Sequence, residues 1–233
     1  MFTKRSSVQR WLVTILAVAL ILFGWFNALP VSADEPQTVY DAVVAEVVDG
    51  DTIRLQEEVL GTKKVRLVSI DTPETNFNGK SQGEHAERAT AYLKGLLPAG
   101  TKIQLQTGKE AKDAYNRLLA HVFKNGLNVN RDLVAQGLAA TYFIWPNLTY
   151  FKDYQGVLKE ARDAKLGIWN PANPLKELPF EFRMRVRNEK PTKFVGDYET
   201  KKAVKPSQYQ QIPVEKRVFF MKKEDLQAAG YQL

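Results

Sequence analysis

Hydrophobic and polar residues alternate along TVYDAVVAEVV (38–48) and TIRLQ (52–56), two β-branched runs joined by Asp49-Gly50-Asp51. A side-chain period of two marks a half-buried strand, and a D-G step between two such runs predicts a hairpin. KKVRLVSID (63–71) continues as a third strand, with Val65, Leu67 and Ser69 on one face and Arg66, Val68 and Ile70 on the other. TPETNFNGKSQG (72–83) is dominated by Pro, Gly, Asn and Ser and reads as a loop. The period then changes. In GEHAERATAYLKGLLPAG (83–100), Ala86, Ala89, Tyr92, Leu93, Leu96 and Leu97 recur at helical spacing until Pro98-Ala99-Gly100 stops them. TKIQLQTG (101–108) predicts a fourth strand, KEAKDAYN (109–116) a polar loop, and RLLAHVF (117–123) a fifth strand ended by Asn125-Gly126. A short helix is expected over 128–138, a strand or loop over TYFIWPN (141–147), and a third helix within 148–169. Five short strands interleaved with three helices predict an α+β chain: a small closed barrel with its helices outside.

Both ends of the chain depart from this alternation. WLVTILAVALILFGWF (11–26) is almost continuously apolar, follows Lys4, Arg5 and Arg10, and leads to the small-residue site Val31-Ser32-Ala33. That order predicts a secretory signal peptide over residues 1–33. Trp11 to Val31 is also long enough for an uncleaved anchor, since a spanning helix takes about 20 apolar residues. Either reading puts the remainder outside the cytoplasm, secreted or tethered. At the other end, PANPLKELPF (171–180) opens a Pro-rich linker taken to run over 171–192. Within it FRMRVRN (182–188) alternates basic and apolar residues, as a strand with one basic face does.

Composition narrows the chemistry. Of 233 residues, 44% are hydrophobic and 25% charged, the balance of an ordinary folded protein. The absence of cysteine excludes disulfides and thiolate metal sites. Only His85 and His121 are present, so a metal is expected to be held by oxygen. Net charge is +7, and it is uneven: residues 175–233 carry 13 basic against 8 acidic groups, whereas 34–174 are near balance. A polyanionic partner would be attracted by the tail.

If the second and third strands pair antiparallel, Asp51 and Asp71 meet at neighbouring strand ends. With the Thr72 carbonyl they form a hard-oxygen set suited to Ca²⁺ or Mg²⁺. Asp49 reads as a turn-former. Glu74, on the loop beyond Asp71, is free to hold a water molecule. Arg66 lies on the opposite strand face and needs a bulge or twist to reach the same place; Arg117 opens the fifth strand. A phosphodiester under attack gathers negative charge that a divalent cation and two planar guanidiniums neutralise. No covalent nucleophile is required.

VVDGDTIRL, VRLVSIDTPET, DAYNRLLAHVF, LVAQGLA and EARDAKLGIW, in this order, resemble the staphylococcal nuclease (thermonuclease) family across about residues 38–170. The resemblance implies a five-stranded OB-fold barrel with three helices that cleaves DNA and RNA with Ca²⁺ to 3′-phosphates. It implies Asp51, Asp71 and the Thr72 carbonyl as metal ligands. Arg66, Glu74 and Arg117 would be catalytic, with Glu74 as base. Tyr115 and Tyr142 would line the nucleotide pocket, and Ile144 and Trp145 compete for its second aromatic position. Asn116 and Leu118 stand where the family has glycines, and Ala114 where it has lysine.

Residues 193–233 resemble the small metal-binding module of bacterial alkylation-repair regulators, through FVG, TKK, IPVEKRVFF and EDLQAAGY. That module uses four cysteines, so the resemblance implies a metal-free relic: a hairpin over 194–220 and a helix over 223–229, docked on the barrel or ordered by a partner. Its basic charge points to nucleic acid or an anionic cell-envelope polymer. The protein is expected to act as a monomer. The competing reading is a catalytically silent OB module that binds nucleic acid or protein.

Overall fold

The computed structural model describes residues 38–233; the leader expected over 1–33 lies outside the described residues. β1 (Val39–Val47) and β2 (Thr52–Val59) pair antiparallel, with Val47 opposite Ile53. β3 (Thr62–Leu67) folds back on β2 and places Arg66 opposite Thr52. β4 (Ile70–Asp71) is a separate element, followed by α1 (Glu84–Leu96). β5 (Lys102–Lys112) pairs antiparallel with β1 and with β6 (Leu118–Lys124). β6 then returns to β3 in parallel, Val65 opposite Leu118, so the sheet closes on itself. The result is a five-stranded mixed barrel of the OB type, with helices outside it. Val44, Ile53, Val65, Leu105, Leu118 and Val122 are wholly buried and fill its core.

β7 (Leu127–Asn128) leads into α2 (Val129–Ala135), whose first turn is capped by the Asn128 side chain accepting from the Arg131 N–H. Asn130, fully buried, bonds Val122, Ala120 and Val68 through one amide. It thereby satisfies the backbone where the barrel opens beside α2. β8 (Ala140–Thr141) and β9 (Phe143–Ile144) precede α3 (Phe151–Asp163). In α1 the expected apolar face is the buried one: Ala86, Ala89, Leu93 and Leu97.

Three expectations are corrected. The run 63–71 is not one strand: Ser69 takes φ 69°, which ends β3 and redirects the chain so that Ile70 pairs with Thr141 of β8. The polar stretch 109–116 is not all loop, since β5 runs to Lys112 with an irregularity after Thr107. FRMRVRN is not a strand, and 171–192 is not merely a linker. α4 (Pro179–Arg187) starts with Pro in its first turn, and the Glu181 carboxylate accepts the Leu178 N–H at 2.7 Å. Asn188, in the left-handed region, ends it. A seven-residue alternation could not outweigh those helix signals, and burial of Phe180 and Phe182 selects the helical face.

The tail continues with β10 (Phe194–Asp197), β11 (Ala203–Val204), β12 (Arg217–Phe220) and α5 (Lys223–Ala228). β10 pairs with both neighbours, and β12 runs parallel to β9, Val218 opposite Phe143. Val218, Phe220, Leu226 and Tyr231 share one apolar cluster with the barrel residues. The tail is therefore built into the core. Each large side chain so buried stabilises by about 1.5–3 kcal/mol.

Candidate active site

The connection between β1 and β2 presents the first carboxylate. Val48 and Asp49 N–H groups donate to the Thr52 carbonyl, and the Asp49 carboxylate accepts the Asp51 N–H at 3.0 Å. Gly50 is not among the positive-φ glycines. Its lack of a Cβ matters for a different reason: a Cβ there would lie 2.6 Å from Thr72 Oγ1 and 2.8 Å from Thr72 Cβ. Glycine lets the loop after β4 press against this connection. As a result Asp51 Oδ2 accepts from both the N–H and the hydroxyl of Thr72, each at 3.0 Å.

Arg66 enters from β3 because the chain breaks at Ser69 and wraps around it. Its guanidinium donates to the carbonyls of Leu67 and Ile70. The same Nη2 lies 3.0 Å from Asp51 Oδ2 and 3.0 Å from Asp71 Oδ1. The local twist needed to bring Arg66 across is thus supplied by the β3–β4 break. Asp71 and Asp51 are 1% and 7% exposed, so their charges are held largely out of water and depend on these partners.

A second guanidinium comes from the tail. Arg183 of α4 grips Asp71 with Nη1 and Nη2, both at 2.9 Å, and Nη1 also donates to Glu74. Glu74 is fixed by a reciprocal pair with Gln82: its N–H donates to the Gln82 side chain, and its carbonyl accepts the Gln82 N–H. The Gln82 amide then donates to the Glu177 carbonyl, tying this loop to the tail. Burial pushes the Glu74 carboxyl above its usual range, and the charge of Arg183 opposes that shift. Burial, with the Asp51 charge second, raises Asp49 to about 6.

The structure therefore brings Asp51, Asp71, Thr72, Arg66 and Glu74 together. Arg117 stands apart. Its Nε donates to Asp113 at 2.7 Å, and its guanidinium lies 5.7 Å from the Tyr115 ring. In the parallel register Arg66 is level with Leu119, so Arg117 enters two residues earlier on the same sheet face. Tyr115 is exposed on that turn. Tyr142 is half-buried, stacked on Phe180 of α4 and tilted over Phe219 of β12, with the Arg183 guanidinium 6.0 Å from its ring centre. Arg183 is the residue that sequence reading missed. The signal was the Pro179-to-Glu181 helix start, which puts Arg183 and Arg187 on one face four residues apart.

Two oxygens, Asp51 Oδ2 and Asp71 Oδ1, converge on one guanidinium nitrogen, which stands where a cation is wanted. This hard-oxygen set fits a divalent ion such as Ca²⁺ or Mg²⁺. Among the described residues no group of three or more His, Asp or Glu is arranged to hold a metal. An ion here would rely on the two aspartates, the Thr72 carbonyl and water.

The structure is a closed OB-type barrel with carboxylates and guanidiniums gathered at its strand ends. Residues 64–171 match the staphylococcal nuclease homologue family. Thermonuclease of Staphylococcus intermedius is 30% identical over 162 residues, 68% of this chain and 94% of that protein. The chain belongs to the staphylococcal nuclease family. Endonuclease YhcR of Bacillus subtilis is 43% identical over 201 residues, and the SPbeta prophage-derived endonuclease YokF is 35% identical over 132. The chain spans only 16% of the first of these and 44% of the second. The match to YhcR takes in 83% of this chain, more than precedes residue 171, so it reaches into the tail.

Proposed function

We propose that the protein is a Ca²⁺-dependent nuclease that hydrolyses the phosphodiester bonds of DNA and RNA to 3′-phosphate products. The observation that carries this reading is the convergence of Asp51 and Asp71 on Arg66 Nη2, with Glu74 linked to Asp71 through Arg183. Asp51, Asp71 and the Thr72 carbonyl would hold the ion, which would supply charge neutralisation at the phosphate. Arg66 faces the equatorial oxygens, and Arg117 joins it when its guanidinium releases the Asp113 carboxylate. Glu74 orients the attacking water and accepts its proton. Tyr142 and Tyr115 border the nucleotide. An ion at Asp71 would compete with Arg183, which already engages both carboxylate oxygens.

The leader over residues 1–33 supports export, so the protein works outside the cytoplasm, as a monomer, released or tethered. The basic tail suits nucleic acid first and an anionic envelope polymer second. The silent-module reading has less support, since every side chain the chemistry needs is present.

The test is hydrolysis of DNA and RNA by residues 34–233 in Ca²⁺, in chelator, and with Glu74→Gln. Activity confined to the wild type in Ca²⁺ is expected. Full activity in chelator or in Glu74→Gln overturns the mechanism, and no activity in any condition leaves the silent module.

A further inference from the structure

A cavity of about 120 Å³ lies beside the candidate site, on the face that the tail contributes. One wall is aromatic: Tyr142, Phe180, Tyr209 and Phe219. Phe180 and Phe219 are almost wholly buried, touch each other, and both contact the Tyr142 ring, so the three rings form one packed cluster. The opposite rim is cationic. Arg183 and Arg187 lie on one face of α4, and the left-handed Asn188 turns the chain back so that Lys190 and Lys193 line the same opening. Arg187 is 3.8 Å from Glu189, the one acid of the lining. Lys190 and Lys193 have no carboxylate within ion-pair distance among the described residues. Unpaired lysines facing packed aromatic rings are a combination suited to a nucleotide: phosphate to the ammonium groups, base to the rings.

The cavity is also continuous with the chemistry. Arg183 lines it and bonds Asp71 and Glu74 with the same guanidinium. Arg66 holds the same Asp71, so the proposed phosphate position and this opening are linked through one carboxylate and Arg183. The alternative occupant, an apolar peptide, leaves the unpaired lysines unexplained.

We propose that the C-terminal segment builds a second nucleotide subsite beyond Tyr142 of the first, in which one unit of a single-stranded substrate flanking the cleaved bond places its base against Tyr209 and its phosphate at Lys190 and Lys193. The proposal rests on the nuclease reading, and it assigns part of substrate recognition to residues outside the family-matched segment 64–171.

The experiment compares the protein with Lys190→Ala/Lys193→Ala on two substrates. One is a single-stranded oligodeoxythymidylate of about eight nucleotides, within the usual span of an OB barrel. The other is a thymidine nitrophenyl phosphodiester, with one nucleoside and one phosphate. A charge-matched control, Lys94→Ala/Lys102→Ala, changes α1 and β5, which line none of the cavity. Equal melting temperatures establish that all variants fold. Expected is a tenfold or greater fall in kcat/KM for the oligonucleotide relative to the small diester, carried by KM. The salt slope of oligonucleotide binding also falls by about 1 in the pocket variant, as loss of one to two phosphate contacts requires, and stays in the control. An unchanged ratio, or a fall matched by the control, overturns the subsite while cleavage by the wild type keeps the nuclease reading. If the wild type cuts neither substrate, that reading fails, and fluorescence anisotropy of the labelled oligonucleotide decides the subsite alone: binding weakened only in the pocket variant sustains it, and equal binding in all three proteins overturns it.

Discussion

Arg183 holds both oxygens of Asp71 across a separation of 112 residues, so the last third of the chain supplies the counter-charge for a carboxylate buried at the end of β4. A guanidinium and a divalent ion want the same oxygens. Without the ion, Arg183 and Arg66 share the compensation of Asp51, Asp71 and Glu74.

Arg183→Ala is expected to lower stability in chelator by about 2–4 kcal/mol, somewhat less than a buried pair that loses its only partner, because Arg66 remains on Asp71. Ca²⁺ then has no competitor. Calorimetric titration should give an affinity at least tenfold tighter than wild type, and added Ca²⁺ should raise the melting temperature further in the variant. Equal or weaker Ca²⁺ binding would show that Arg183 does not stand in the ion's way.

Arg66→Lys keeps the charge and loses the geometry. One guanidinium reaches two carboxylates and two carbonyls, which an ammonium on a single stem cannot span. Phosphodiester hydrolysis is expected to fall by about 10²–10³, the usual loss on removing one such charge-stabilising donor. Steady-state kinetics with single-stranded DNA measure it; a loss below about threefold removes Arg66 from the proposed chemistry.

Gly50→Ala tests the close approach that seats Asp51 on Thr72. The buried Thr72 side chain has no free path away from the added methyl. Overpacking of this kind costs about 1–3 kcal/mol, and it separates Asp51 from the Thr72 N–H. Urea unfolding should report the stability loss and Ca²⁺ titration a weaker site. Wild-type values in both would mean that the loop yields freely.

The strands and helices with clean periods were readable from sequence. β1, β2 and the buried face of α1 follow the alternation and the i, i+3, i+4 pattern, because each packs one face on a single core. The meeting of Asp51 and Asp71 followed from the order of strand ends, whereas Arg66, placed by alternation on the opposite face, joins them only through the break at Ser69. What escaped reading depends on partners far away in sequence. Ser69 breaks the third strand because Ile70 pairs with Thr141, and two-residue strands such as β4, β8 and β9 are too short to carry a pattern. Arg183 escaped because its role exists only once β12 has paired with β9 and carried α4 onto the site. A surplus of tail charge was visible; which of its cations reaches Asp71 was not.

Removal of residues 175–233 is expected to act on stability before it acts on electrostatic attraction of a polyanion. Deletion uncovers Phe143 and the β9 edge and strips Val218, Phe220, Leu226 and Tyr231 from the shared core. At about 1.5–3 kcal/mol per side chain, four such losses rival the 5–15 kcal/mol that keeps a whole domain folded. The truncated chain should melt well below the full one or fail to fold, and limited proteolysis should cut the barrel. A fully stable truncation would mean the tail adds no net stability.

His121 gives the pH dependence a named source. It lies inside the barrel wall, 2% exposed, with its ring edge-on to Tyr150 and Tyr154. Tyr154 donates its hydroxyl proton to Asn128 at 2.9 Å, so its oxygen accepts from His121 Nδ1–H, and the ring is neutral. Burial lowers its pKa from 6.5 to about 3. The unfolded chain takes up a proton below pH 6.5 while the folded protein refuses it until about pH 3, so this contribution to stability is full above 6.5 and is lost as pH falls through that window. The slope approaches about 1.4 kcal/mol per pH unit. His121→Asn retains an N–H for Tyr154 and cannot titrate. Between pH 7 and pH 5, urea unfolding of the wild type should lose about 2 kcal/mol more than the variant. The carboxylates that titrate in the same range are common to both proteins and cancel in that difference. Parallel stability curves for the two proteins would assign the acid sensitivity to those carboxylates and not to His121.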